Sequence, residues 1–262
     1  MPSNASFFYN KTINVFTDAS CKELKPVKLS SVKATAPGFV ATYAGRILAT
    51  GLEVYLSEHS MFGEAKAIEL AVEWCKVAAS RGLFLPDGYS ILSDNAPTIQ
   101  KIYNLLTSWF NMINKGQSLD VIRQNKVSNA VTWDDFAFNT AFNIFTSGLP
   151  IRLFYVSSHS NLRPFSPTKP KEKFLRVNNP MHGDLSQDID EIILHDFATF
   201  NNIVDIMTRN YLTLHKSNIE NDIDTYLDTI DISTNKLQPV RWPFVSRYRE
   251  LSSPLLLNQY LI

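Results

Sequence analysis

The chain is poor in the residues that mark several classes of protein. It has two cysteines in 262 residues, Cys21 and Cys75, too few for a disulfide scaffold or a four-thiolate zinc site. Nine glycines and thirteen prolines exclude collagen-like and linker-dominated chains. No apolar run reaches the roughly 18–20 residues of a membrane helix, and the start lacks the basic-then-apolar layout of a secretory signal. We expect a soluble protein of the reducing cytoplasm, with no membrane attachment.

Hydrophobic residues make up 45% of the chain and charged residues only 19%, a composition that can bury a core. The formal net charge is zero, but the charges are segregated. Residues 101–180 carry ten basic and four acidic side chains, whereas residues 181–240 carry three and eleven. Two interpretations remain open: solvated faces that cluster by chance, or a basic surface for a polyanion beside an acidic segment near a metal site.

Hydrophobic periodicity predicts a mixed sheet flanked by helices. The order is three strands, a helix, a strand, helices, a strand and a long helix. Three successive strands favour an antiparallel meander, and the later alternation favours parallel strands joined by helical crossovers. The residues from Cys21 to Pro37 are predicted to form a loop, and Gly51 a bulge. The predicted strands are 13–16, 38–45, 47–56, 89–94 and 151–159. The main helices are predicted to open after Gly63, to start at Asn95-Ala96-Pro97, and to span 189–214.

Four acidic residues stand at positions that this topology could bring together: Asp18, Glu64, Asp94 and Asp205. Taken singly, Asp18 could be a turn residue, Asp94 the N-cap of the next helix, and Asp205 a solvated helix residue. Glu64 could serve the helix dipole, but it extends an apolar stripe, where an unpaired carboxylate is costly. Sites in such sheets gather at strand ends. Oxygen-only ligands suit Mg²⁺ or Mn²⁺, and two such ions can activate water on a phosphodiester.

The sequence resembles the ribonuclease H type 1 family over roughly residues 11–215. The matching segments are INVFTDAS, FGEAKAIELAVEW, ILSDNAPTI, FYVSSHSN and NNIVDIMTRNYL, in the family's order. The resemblance implies an α/β fold with a five-stranded ribonuclease H-like sheet, three strands antiparallel and the next parallel. It also implies that Asp18, Glu64, Asp94 and Asp205 bind two Mg²⁺ (or Mn²⁺) ions. His159 would ferry a proton or help product release, and Asn201 would contact the nucleic acid.

The chain departs from the family pattern in both polar contacts and length. Ser60-Met61-Phe62-Gly63 replaces a polar pair that reads RNA 2′-hydroxyls, and Ala96 replaces a frequent glutamine. We expect a ribonuclease H-like domain over 1–215, an insertion at about 160–195 and an extension over 216–262. The insertion could track a phosphate backbone, or be a solvated loop. Its basic residues are Arg163, Lys169, Lys171, Lys173 and Arg176.

The leading functional hypothesis is a metal-dependent endonuclease that cuts the RNA strand of an RNA–DNA hybrid by a two-metal mechanism. One alternative keeps the fold and the metals but cuts DNA, as resolvases and integrases do. Another is a non-catalytic nucleic-acid-binding or scaffold module. No Walker loop, dinucleotide fingerprint, nucleophile elbow or HExxH motif supports a different chemistry.

Overall fold

Eight strands and six helices make up the part of the protein that the computed structural model describes, residues 12–27, 32–56, 60–126, 132–156, 191–227, 240–241 and 248–250. The strands are β1 (Ile13–Leu24), β2 (Val32–Tyr43), β3 (Arg46–Leu52), β4 (Tyr55–Leu56), β5 (Tyr89–Ser93), β6 (Ile151–Tyr155), β7 (Val240–Arg241) and β8 (Tyr248–Glu250). The helices are α1 (Ser60–Ser80), α2 (Ala96–Asn114), α3 (Leu119–Gln124), α4 (Trp133–Thr146), α5 (Glu191–Leu214) and α6 (Lys216–Leu227).

The strand order in the sheet is β6-β5-β1-β2-β3-β8. β1, β2 and β3 pair antiparallel, whereas β5 lies parallel to β1 and β6 parallel to β5. This order confirms the predicted ribonuclease H-like arrangement of an antiparallel meander followed by parallel strands. The sheet is larger than the predicted five strands because β8 pairs with β3, and β4 and β7 form a short side ladder beside β2.

The predicted loop from Cys21 to Pro37 is wrong. β1 and β2 continue as a ladder that runs from Asp18 opposite Gly38 out to Leu24 opposite Val32. The outer half of this ladder alternates, with Leu24 and Val32 buried and Lys33 exposed. A strand with one solvent-exposed face carries polar side chains at every second position. These polar residues are the reason why the sequence predicted a loop.

The predicted bulge at Gly51 is also misplaced. The register shifts between Ala41 and Thr42, which face Ala49 and Ile47, so the extra residue is Leu48. Gly51 instead lies opposite Phe39, and a Cβ at Gly51 would lie 2.1 Å from Cε1 of the Phe39 ring. The glycine is required because the aromatic ring covers its backbone.

Helices cover both faces of the sheet. α1, α2 and α4 pack on one face over a core that includes Ile13, Ile68 and Ile91. α5 packs on the opposite face, where Phe197 and Val204 meet strand residues such as Phe16 and Leu92. α6 joins the end of α5 over the outer halves of β1 and β2. Among the described residues, no helix combines the length and apolarity that a membrane span requires.

Candidate metal centre

Three of the four predicted acidic residues come together at one edge of the sheet. Asp18, Glu64 and Asp94 each offer a carboxylate oxygen, and these oxygens lie within 4.8 Å of one another. The parallel pairing of β1 and β5 ends at Thr17 and Ser93, so Asp18 and Asp94 are the next residues on two adjacent strands. The topology therefore places the two aspartates side by side, and α1 supplies the glutamate.

Asp18 lies within β1 and not at its end, because β1 continues along β2 after its pairing with β5 stops. The interpretation of Asp18 as a turn residue therefore does not hold. The side chain is 7% exposed, and its Oδ1 accepts a 2.7 Å hydrogen bond from the N–H of Ala19. The hydroxyl of Thr17 donates to the carbonyl of Leu92 at 3.1 Å, which ties β1 to β5 beside the site.

Asp94 is not the N-cap of α2. That position is occupied by Asn95, whose Oδ1 accepts a hydrogen bond from the N–H of Thr98 at 3.0 Å. The carboxylate of Asp94 instead accepts a long hydrogen bond, 3.5 Å, from the amide of Asn201 on α5. Asn201 is 2% exposed, and its Oδ1 has no hydrogen-bond partner among the described residues. Asn201 thus contacts Asp94, and its assignment to nucleic-acid binding stays a prediction.

Glu64 stands in the second turn of α1, since the helix begins at Ser60 and not after Gly63. A Cβ at Gly63 would lie 2.3 Å from Cγ2 of Thr35 and 2.7 Å from Cβ of Ala19. The missing side chain lets the helix approach β1 and β2 closely enough to bring Glu64 beside Asp18. Oε2 of Glu64 is buried and has no hydrogen-bond partner among the described residues.

The electrostatics of this cluster are unfavourable to three ionised carboxylates. Burial, and then the charge of Asp94, raises the pKa of Asp18 from 3.8 to about 7, although the Ala19 N–H and Arg209 oppose the shift. Burial and the charges of Asp18 and Asp94 raise the pKa of Glu64 well above 4.5. A buried carboxylate oxygen without a partner, beside two other carboxylates, fits a hard divalent cation with oxygen ligands. Asp18, Glu64 and Asp94 are the residues that would hold it.

Asp205, the fourth predicted ligand, is not part of this group. It lies on α5, one turn beyond Asn201, and its Oδ2 accepts a hydrogen bond from the guanidinium of Arg209. The assignment of Asp205 as a metal ligand stays a prediction. The partner Arg209 was not expected from the sequence, although its position four residues after an aspartate in a helix is the spacing of an ion pair.

Two of the departures from the family pattern have a structural counterpart. In the segment that replaces the polar pair, Phe62 is 2% exposed and packs edge-on against Tyr55 and Phe136. Ala96 is exposed at the start of α2. Neither position offers a side chain that could read a 2′-hydroxyl. The predicted loop residues lie outside the described part of the chain: His159, Arg163, Lys169, Lys171, Lys173 and Arg176.

No protein-family model matches the sequence, and no curated protein matches it. Similar solved structures include a foamy viral protease-reverse transcriptase in complex with an RNA/DNA hybrid, at 12% identity and a TM-score of 0.36 over 56% of this chain and 18% of that chain. The same viral protein in complex with dsDNA gives 16% identity and 0.37, over 60% of this chain and 83% of that chain.

A type 1 ribonuclease H with the type 2 active-site motif gives 12% identity and a TM-score of 0.35, over 58% of this chain and 65% of that chain. The present chain spans less than a fifth of the length of the viral chain in the hybrid complex. The fold itself is established by the strand order and by the parallel pairing of β1 with β5.

Proposed function

We propose that the protein is a divalent-metal-dependent endonuclease that hydrolyses the RNA strand of RNA–DNA hybrids. The observation that carries this proposal is the cluster of Asp18, Glu64 and Asp94 at the edge where the parallel strands end. Such a cluster is costly to the folded protein unless a cation occupies it. A bound cation would offset this cost, so the cluster supports a metal-dependent function.

When bound, Mg²⁺ or Mn²⁺ ions would supply an activated water and stabilise the charge that develops on a phosphodiester. The chain's own residues would hold and orient the cations. The Ala19 N–H orients one oxygen of Asp18, and the Asn201 amide orients one oxygen of Asp94. Gly63 sets the distance between α1 and the strands and so places Glu64. Asp205 would complete the ligand set from α5, and His159 would move a proton or assist product release.

The substrate is proposed from charge as well as from the cluster. The basic segment 163–176 provides cations that could follow a phosphate backbone. One observation favours a second candidate, a DNA nuclease of the same fold. Phe62, in the segment that replaces the family's polar pair, is buried, and contacts to the 2′-hydroxyl are what distinguish RNA from DNA.

The test is a cleavage assay on end-labelled RNA–DNA hybrid, duplex RNA, duplex DNA and branched DNA of one sequence, with Mg²⁺ or Mn²⁺. We expect cuts in the RNA strand of the hybrid, abolished by Asp94→Asn. Glu69→Gln is the matched control: Glu69 lies on the same helix as Glu64, but its carboxylate is bound by Lys66 and Asn143. Cleavage of DNA without cleavage of hybrid would establish the second candidate.

A third outcome separates an enzyme from a binding module. If no substrate is cut, calorimetric titration with Mn²⁺ decides whether the cluster works as a cation site at all. If the wild type binds Mn²⁺ and Asp18→Asn does not, the metal centre is supported and a different substrate must be sought. No binding, with hybrid still retained by the protein, would identify a non-catalytic nucleic-acid-binding module and refute the proposal.

A further inference from the structure

Helix α5 presents three polar residues on successive turns of one face: Asn201, Asp205 and Arg209. The first of them contacts Asp94, so this face begins at the carboxylate cluster. Asp205 follows one turn later and Arg209 one turn after that. The side chain of Asp205 is 15% exposed and that of Arg209 is 57% exposed, so the row runs outward from the cluster to solvent.

The part of α5 that carries these residues packs closely against β1 and β2. The hydroxyls of Thr208 and Ser20 share a 3.0 Å hydrogen bond, and a Cβ at Gly38 would lie 2.8 Å from Cγ2 of Thr208. The hydroxyl of Thr208 lies 3.1 Å from the carbonyl oxygen of Asp205, and Arg209 is the next residue, so Thr208 anchors this part of α5 on the sheet. The charge of Arg209 already acts on Asp18, whose pKa it lowers against the effect of burial.

We propose that Arg209 couples occupation of the metal centre to binding of a nucleic-acid backbone. In the structure its guanidinium donates to the carboxylate of Asp205. When cations occupy the cluster, Asp205 turns toward them and Arg209 is released to bind a phosphate beside the centre. The inference rests on the proposed function, because it takes Asp205 as the fourth ligand.

The energetics favour such an exchange. An exposed ion pair between residues i and i+4 of a helix contributes little to stability. Breaking the pair therefore costs little free energy when a divalent cation binds its carboxylate. The released guanidinium is then a planar donor with a geometry suited to phosphate oxygens. Lys22 extends the cationic surface along the same seam between β1 and α5, where its ammonium donates to the hydroxyl of Thr213 at 3.1 Å.

The first measurement is calorimetric titration of the whole protein with Mn²⁺. Arg209→Gln should bind Mn²⁺ about threefold more tightly, or better, because Asp205 loses its competitor and the cation loses a nearby positive charge. Lys216→Gln is the matched control, since it removes the i,i+4 pair with Glu220 on α6. Equal Mn²⁺ affinity in wild type and Arg209→Gln, with Asp18→Asn binding weakly, would refute the coupling and leave the metal centre intact.

The second measurement is the salt dependence of binding to a fluorescent RNA–DNA hybrid, in EDTA and in Ca²⁺, with intact hybrid verified on a gel. In EDTA, wild type and Arg209→Gln should show the same slope of log K against log salt. In Ca²⁺, the wild-type slope should be steeper by about 0.7–0.9, the value of one phosphate contact. Arg209→Lys should behave as wild type. The proposal would be overturned if the slopes of wild type and Arg209→Gln already differed in EDTA, or if they were equal in Ca²⁺. Absence of Mn²⁺ binding by the wild type would instead mean that the proposed function itself is wrong.

Discussion

Replacing the Asp18 carboxylate by an asparagine amide should stabilise the metal-free protein at neutral and alkaline pH. The folded state raises the pKa of Asp18 from 3.8 to about 7, chiefly through burial. The folded state therefore binds a proton more tightly than the unfolded state does. Stability from this group is fully present below pH 3.8 and is lost as the pH rises through 7. Asparagine does not ionise, so the contribution of position 18 should stay level over this range, while the contribution of Glu64 remains in both proteins.

The magnitude follows from the two pKa values. Each pH unit is worth about 1.4 kcal/mol, so ionisation of Asp18 costs about 4 kcal/mol of stability above pH 7. The advantage of the variant should grow by about 3 kcal/mol between about pH 4.5 and pH 8. The introduced amide would retain an oxygen that accepts from the N–H of Ala19, so the substitution removes charge with little change in hydrogen bonding. A shift of several degrees in the melting temperature is expected.

The assay is urea unfolding in EDTA at several pH values, followed by the fluorescence of the buried Trp74 and Trp109. Glu69→Gln is the control, because Lys66 compensates the charge of Glu69 and its loss should not stabilise the protein. Adding Mg²⁺ or Mn²⁺ should reduce the advantage of the variant by more than half, since a ligand at about a hundred times its dissociation constant adds about 2.7 kcal/mol to the wild type. A variant no more stable than wild type at pH 8, or a difference independent of pH, would refute the reasoning.

Three further outcomes are expected. Gly63→Val should cost about 1–3 kcal/mol and weaken Mn²⁺ binding in calorimetry, because its side chain would overlap Thr35 and Ala19 and push α1 outward; unchanged Mn²⁺ affinity would contradict this. His159→Ala should slow turnover by roughly 10²–10⁴-fold without altering metal affinity, and the defect should shrink as pH rises; full activity would make the residue an ordinary surface histidine. Neutralising the five basic residues of the segment 163–176 should flatten the salt dependence of hybrid binding by about 0.7–0.9 per lost phosphate contact; an unchanged slope would identify a solvated loop.

The order of the elements could be predicted from sequence because periodicity is a local property. Alternating apolar residues give strands, and the stripe of Glu64, Ile68 and Cys75 gives a helix face. The order of strands and helices then leaves few topologies, and the predicted strands have the expected arrangement, antiparallel first and then parallel. The limits of the strands were harder to place, because the outer halves of β1 and β2 are buried on one face only and carry lysines on the other.

The sequence by itself determined which carboxylates could meet. Asp18 and Asp94 follow strand segments, and the parallel connection between them brings those segments to the same edge. Only the tertiary structure decided how closely they meet and what each side chain does there. Asn95, not Asp94, caps α2, and Gly63 is needed because α1 touches two strands that are distant in sequence. Asp205 lies with Arg209 outside the cluster. These outcomes depend on distances across helix–sheet interfaces, and such distances are set by packing between segments far apart in the chain, on which local sequence patterns carry no information.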